Sequence, residues 1–188
     1  MQSEPNARSI YMKLYTILGC AHGERRWVST PDDLVLAVER AKSPSFTYFR
    51  ASRRRGSEVV ACSSALIRER IDLCIALGLA NEVGQLTKTG MEAIRGDSFA
   101  KVVAKQTLQY LQRHGADLDS ILASRRSAGT EYWLPTAQTL FEETRPEMKL
   151  PEFRRLLNLL AECAHLRAVQ SRIYIPTPRA AVPSKGTS

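Results

Sequence analysis

"IDLCIALGLANEVGQLTKTG", residues 71–90, compresses a helix end, a tight turn and a helix start into twenty positions. Ile71, Cys74 and Ile75 continue a face begun by Ile67, with Leu66, Leu73 and Leu77 beside it. The spacing predicts a helix from Ser63 or Ser64 to Leu77, with Arg68, Glu69, Arg70 and Asp72 facing outward. Gly78 suits a left-handed helix end, because without a Cβ it takes a positive φ at no steric cost. Leu79–Val83 and Gln85–Thr87 read as two short strands turning at Gly84, anchored inward by Leu79, Val83 and Leu86. Thr87 or Thr89 then opens a short helix through Met91 and Ile94.

Outward from this stretch the chain reads as mainly helical. Asn6 to Leu18 repeats apolar residues at helical spacing, and Gly19 and Gly23 bracket its end. "RRWVST" supplies a short extended piece through Trp27 and Val28. Thr30-Pro31-Asp32-Asp33 is a strong helix start, with a hydroxyl cap, proline in the first turn and carboxylates near the positive helix end. That helix runs through Leu34, Leu36, Ala37 and Val38 to about Ala41. Beyond residue 96 the patterns predict helices at Phe99–Arg113, from Asp117 through Leu122, from Pro135-Thr136 to before Pro146, and from Leu150-Pro151 through Leu160 and Ala164. "LRAVQSRIYIPTP" alternates as two paired strands with Val169, Ile173 and Ile175 inward, and residues 179–188 read as a disordered tail.

"SALIRERIDLCIALGLANEVGQLTKTGMEAI", residues 64–94, resembles the recognition helix and wing of winged helix-turn-helix proteins. A second, worn copy follows near the C-terminus. Setting Leu79 against Leu166 (166 − 79 = 87) pairs Leu66 with Phe153, Leu73 with Leu160 and Leu77 with Ala164, while His165 replaces the glycine. The expected class is mainly α with short β-hairpin wings, arranged as two tandem winged-helix domains. The first spans 1–96 with a basic insertion at 43–62, and the second spans 97–178.

The resemblance implies that the third helix of each unit enters a major groove while the wing touches the backbone. On the first unit this singles out Ser64 and Arg68, with Lys88 just past the wing. On the second it singles out Arg154, Arg155 and Asn158, where arginine can fork onto guanine and asparagine onto adenine. Arg167 and Arg172 flank that wing. Arg50, Arg53, Arg54 and Arg55 form an exposed basic loop or hairpin suited to sequence-blind phosphate contact or minor-groove insertion. For any one of these arginines a solvated helix face is the commoner role, and Glu69 and Asp72 repel phosphate on the first helix.

Composition agrees with a polyanion partner. The 188 residues carry 27 basic and 19 acidic side chains, a net charge of +8, which attracts nucleic acid in a salt-dependent way. No apolar run is long enough to span a membrane, and no basic-then-apolar leader is visible. Cys20, Cys62, Cys74 and Cys163 lack CxxC spacing, which points to a reducing cytoplasm and no structural zinc; as a DNA-binding protein the chain is expected to be cytoplasmic and nucleoid-associated. His22, His114 and His165 stand apart, with no HExxH, GxSxG or phosphate-cradling glycine loop. Glu142 and Glu143 are helix neighbours that do not face each other. The expectation is therefore a non-enzymatic protein without cofactor or metal that binds double-stranded DNA as a regulator or accessory factor, with 99–113 as a possible homodimer surface. The alternative is an architectural, protein-binding subunit of a larger complex, such as those built around SMC-like ATPases.

Overall fold

The computed structural model describes residues 9–41, 51–52, 59–60, 64–96, 98–127, 135–169 and 173–176. Among these residues eight helices carry the fold: α1 Ile10–Gly23, α2 Pro31–Arg40, α3 Ser64–Ala76, α4 Lys88–Ile94, α5 Phe99–Arg113, α6 Leu118–Ser127, α7 Ala137–Thr144 and α8 Leu150–Glu162. Among the described residues two antiparallel ribbons form, β1 Ala51–Ser52 with β2 Val59–Val60, and β3 Leu166–Val169 with β4 Ile173–Pro176.

Helix starts follow the sequence closely. The Thr30 hydroxyl accepts from Asp33 N while the Asp33 carboxylate accepts from Thr30 N and Ser29 N, closing a capping box. These bonds, led by the one from Ser29, hold the Asp33 carboxyl below its ordinary pKa. Thr87 caps α4 through Gly90 N, and Thr136 caps α7 through Thr139 N. Helix α1 differs from its expected bounds: it begins at Ile10, capped by Ser9, and passes through Gly19. The α1 start is also held by a distant residue. The Glu162 carboxylate, at the end of α8, accepts hydrogen bonds from Ser9 Oγ (2.9 Å), Ile10 N (3.3 Å) and Tyr11 N (2.7 Å).

The winged part of the expected fold class is corrected: the molecule is mainly α, and β-hairpin wings are not its organising feature. Where the first wing was expected, residues 79–87 form a single bridge between Ala80 and Leu86. Asn81 winds the intervening residues into a turn, its Oδ1 accepting from Val83 N (3.2 Å) and Gln85 N (2.9 Å). Thr87 already caps α4, so no residues remain to extend a ladder. Val83, expected inward, is 40% exposed, and only Leu79 and Leu86 of the three anchors pack inward. The β3–β4 ribbon alone does not restore a tandem winged layout.

The packing is helix on helix. α1, α2 and α3 touch one another, α5 and α7 both pack on α8, and α1 also reaches α4 and α8. Buried residues form one continuous cluster from Ile10 on α1 to Leu166 on β3, crossing the expected boundary at 96–97, where α4 packs against α5. The apolar face of α5 is buried within the chain through Val102, Val103, Ala104 and Leu111, so any homodimer contact by the helix at 99–113 would use its other face. On α3 the inward set Ile67, Ile71 and Cys74 is as expected, but Arg70, expected outward, is only 8% exposed.

The internal repeat is real at the level of helix ends, in a different register. α3 and α8 start and stop 86 residues apart (150 − 64 = 86; 162 − 76 = 86). Gly78 and Ala164, also 86 apart, both take a left-handed backbone with φ of 69° and 57°. The following amides repeat the same bond, Leu79 N to Cys74 O and His165 N to Leu160 O, each 2.9 Å. Ala164, rather than His165, therefore stands where the first copy has its glycine.

Candidate nucleic-acid interface

The sequence-selected residues divide into three groups. The first is already engaged within the protein. Ser64 Oγ donates to Glu39 Oε1 of α2 at 2.6 Å. Arg68 pairs with Asp32 at the start of α2 and, at 3.4 Å, with Asp72 one turn along its own helix. Arg155 pairs with Glu69, tying α8 to α3. Asn158 is partly buried and has polar contacts of its own. The α3 surface is thus a mosaic of paired charges, in which each guanidinium faces a carboxylate and its attraction for phosphate is largely cancelled.

The second group is open. Lys88, the first residue of α4, and Arg154, in the second turn of α8, are exposed and make no ion pair among the described residues. The third group lies outside what can be described: Arg50, Arg53, Arg54, Arg55 and Arg172 fall beyond the described residues, and of Arg167 only the β3 backbone is included.

A basic corner was missed in the sequence. α1 ends at Gly23, and the turn after it is closed by Trp27 N and Val28 N, both donating to Glu24 O. Arg25 and Arg26 sit on this turn, exposed, and with His22 they line a cleft of about 370 Å³ against Gln85, Leu86 and Met91. Gln85 Nε2 donates to Val28 O at 3.0 Å, pinning the 81–86 turn beside this corner. Lys88, in the first turn of α4, is exposed but is not among the residues that line this cleft. Trp27 and Val28 in "RRWVST" suggest a short extended piece, whereas the structure makes these residues a turn. The available signal was the run of two arginines against a tryptophan. Val28 is buried, whereas Trp27 is 77% exposed.

On the opposite side of that turn lies a groove of about 750 Å³ between α1 and α2, lined by Tyr15, Trp27 and Leu36 among others. A further cleft of about 820 Å³ runs between α5 and the start of α6, with Lys101 and Lys105 facing Asp117 and Asp119. His165 Nε2 lies 3.2 Å from Asp119 Oδ1 there, so this cleft holds charges of both signs.

Nothing in the described residues is arranged for metal chemistry: no group of three or more His, Cys, Asp or Glu side chains is poised to hold an ion. The thiols are quiet. Burial pushes Cys20 up to about 11 and Cys163 up to about 12, and Cys74 higher still. No described helix is long and apolar enough to cross a membrane. No family model, no curated protein and no solved structure matches this chain.

Proposed function

We propose that this protein binds double-stranded DNA through the phosphate backbone, as an accessory factor or regulator, with little direct reading of base edges. The observation that supports this is how charge is distributed over the surface. The acids around α3 are matched against Arg68 and Arg155, while Arg25, Arg26, Lys88 and Arg154 stand exposed without an ion pair among the described residues. A net charge of +8 left partly unpaired favours a polyanion by counterion release. Base-edge readout by the two expected helices has little support, because Arg155 and Arg68 would first have to leave their carboxylates.

Fluorescence anisotropy with a 20-base-pair duplex across a salt series tests the reading. Affinity should fall steeply with salt, by roughly 0.9 log unit per log unit of salt for each phosphate contact. Arg154→Ala should weaken binding about two- to fivefold on every duplex sequence, as expected for loss of one phosphate contact. Absence of binding at low salt, or binding indifferent to salt, would remove this function.

A further inference from the structure

Among the described residues four large apolar side chains are prominently exposed, and three of them, Tyr15 (43%), Trp27 (77%) and Leu36 (45%), line the groove between α1 and α2. A tryptophan this exposed leaves both a large apolar area and a π-face open to solvent. The turn carrying Trp27 also carries Arg25 and Arg26, which look into the neighbouring cleft beside His22, so one ridge separates an aromatic groove from a basic one. Two carboxylates line the aromatic groove. Asp33 is occupied as the capping-box acceptor of Ser29 N and Thr30 N, leaving Glu24 as the open acid of a lining that also includes Arg40.

We propose that this ridge binds an unpaired stretch of nucleic acid, with one base stacked on Trp27 in the α1–α2 groove and flanking phosphates on Arg25 and Arg26. The inference builds on the DNA-binding reading above and specifies a site for single-stranded or frayed ends, distinct from Arg154 on α8. The chemistry fits the two sides of the ridge. Bases need an aromatic surface that tolerates any sequence, and the strand between them needs cations spaced along its path. An apolar protein segment would use the groove but leave the arginines of the ridge without a counter-charge.

Trp27 supplies its own reporter. The chain has two tryptophans, so Trp133→Phe leaves Trp27 as the only tryptophan in the full-length protein, read by exciting at the red edge where tyrosine does not absorb. Titration with a twelve-residue oligo(dT) should quench that emission saturably and in a salt-sensitive manner. Trp27→Ala should weaken oligo(dT) binding, followed by anisotropy, by about fivefold or more, as loss of a single stacked base does, with Trp27→Phe recovering much of it. Arg25→Ala with Arg26→Ala should lower the single-strand salt slope by about 1.4, at roughly 0.7 per contact. Unchanged oligo(dT) affinity in Trp27→Ala, or equal quenching by inorganic polyphosphate, overturns the site. In either case salt-dependent duplex binding that survives in Trp27→Ala leaves the broader DNA reading standing, whereas its loss in the parent protein removes that reading first.

Discussion

At Gly90 a single hydrogen decides how closely two elements approach. A Cβ built there would lie 1.9 Å from the Leu79 carbonyl oxygen, a rigid backbone atom. Thr87 completes the junction: its hydroxyl donates to Gly78 O at 2.7 Å and accepts from Gly90 N at 3.0 Å. Gly90→Ala should cost about 2 kcal/mol or more by forcing the backbone apart, seen as a lower urea midpoint at unchanged slope. Ala164 presents the opposite case. It holds a left-handed φ of 57° despite its Cβ, so Ala164→Gly should raise stability by roughly 0.5–1 kcal/mol, relief of strain exceeding the added chain entropy. Glu162→Gln should lower stability by about 1–2 kcal/mol, since the neutral amide weakens three charge-assisted contacts to the α1 start. Thermal unfolding of the three variants side by side checks these signs.

At the scale of elements, α3 and α8 are a matched pair with opposite surroundings. Their common helix end was visible in the sequence as a repeat, but alignment on leucines shifted it by one residue. Burial follows the helix face, and Ile67 and Phe153 occupy equivalent buried positions 86 apart. What neutralises the polar faces comes from elsewhere: Asp32 and Glu39 from α2, and Glu69 against Arg155. The Glu69–Arg155 pair is half-exposed and is worth at most about 1 kcal/mol to stability. Its larger effect is on ligand charge. Glu69 also faces the buried Arg70 at 3.4 Å, so Glu69→Gln should lower the unfolding midpoint modestly while tightening low-salt duplex binding about two- to fivefold, because it releases Arg155 and removes a repulsive carboxylate. Unchanged affinity in this variant would show that the α3–α8 face does not meet DNA.

Across the whole molecule the buried thiols set an alkaline limit. Each is neutral when protonated, and folding raises its pKa through burial. Their contribution to stability is therefore complete below the unfolded value of about 8.5 and declines as pH rises from there toward the folded values. Denaturation midpoints should fall above pH 9, and an iodoacetamide pulse at pH 8 should leave Cys74 and Cys163 unmodified until the chain unfolds, as peptide mapping would report. The one core that buries these thiols spans both halves of the chain. Local signals wrote its parts: the Thr30 and Thr87 caps, the apolar face of α3 and the stop at Gly78 act over a few residues and were legible directly. The absent wing was not, because Asn81 folds the turn with its own side chain and outcompetes a ladder that strand-forming residues alone suggested. Nor was the fate of the arginines. Charge count is a property of composition, but whether Arg68 and Arg155 meet a carboxylate, and whether Trp27 meets water, depends on which distant helices pack beside them. The sequence by itself determined most of the helix starts, from Thr30, Thr87 and Thr136, and that the chain would carry excess positive charge. The tertiary structure alone decided which of those charges remain open, since pairing is a matter of distance in space.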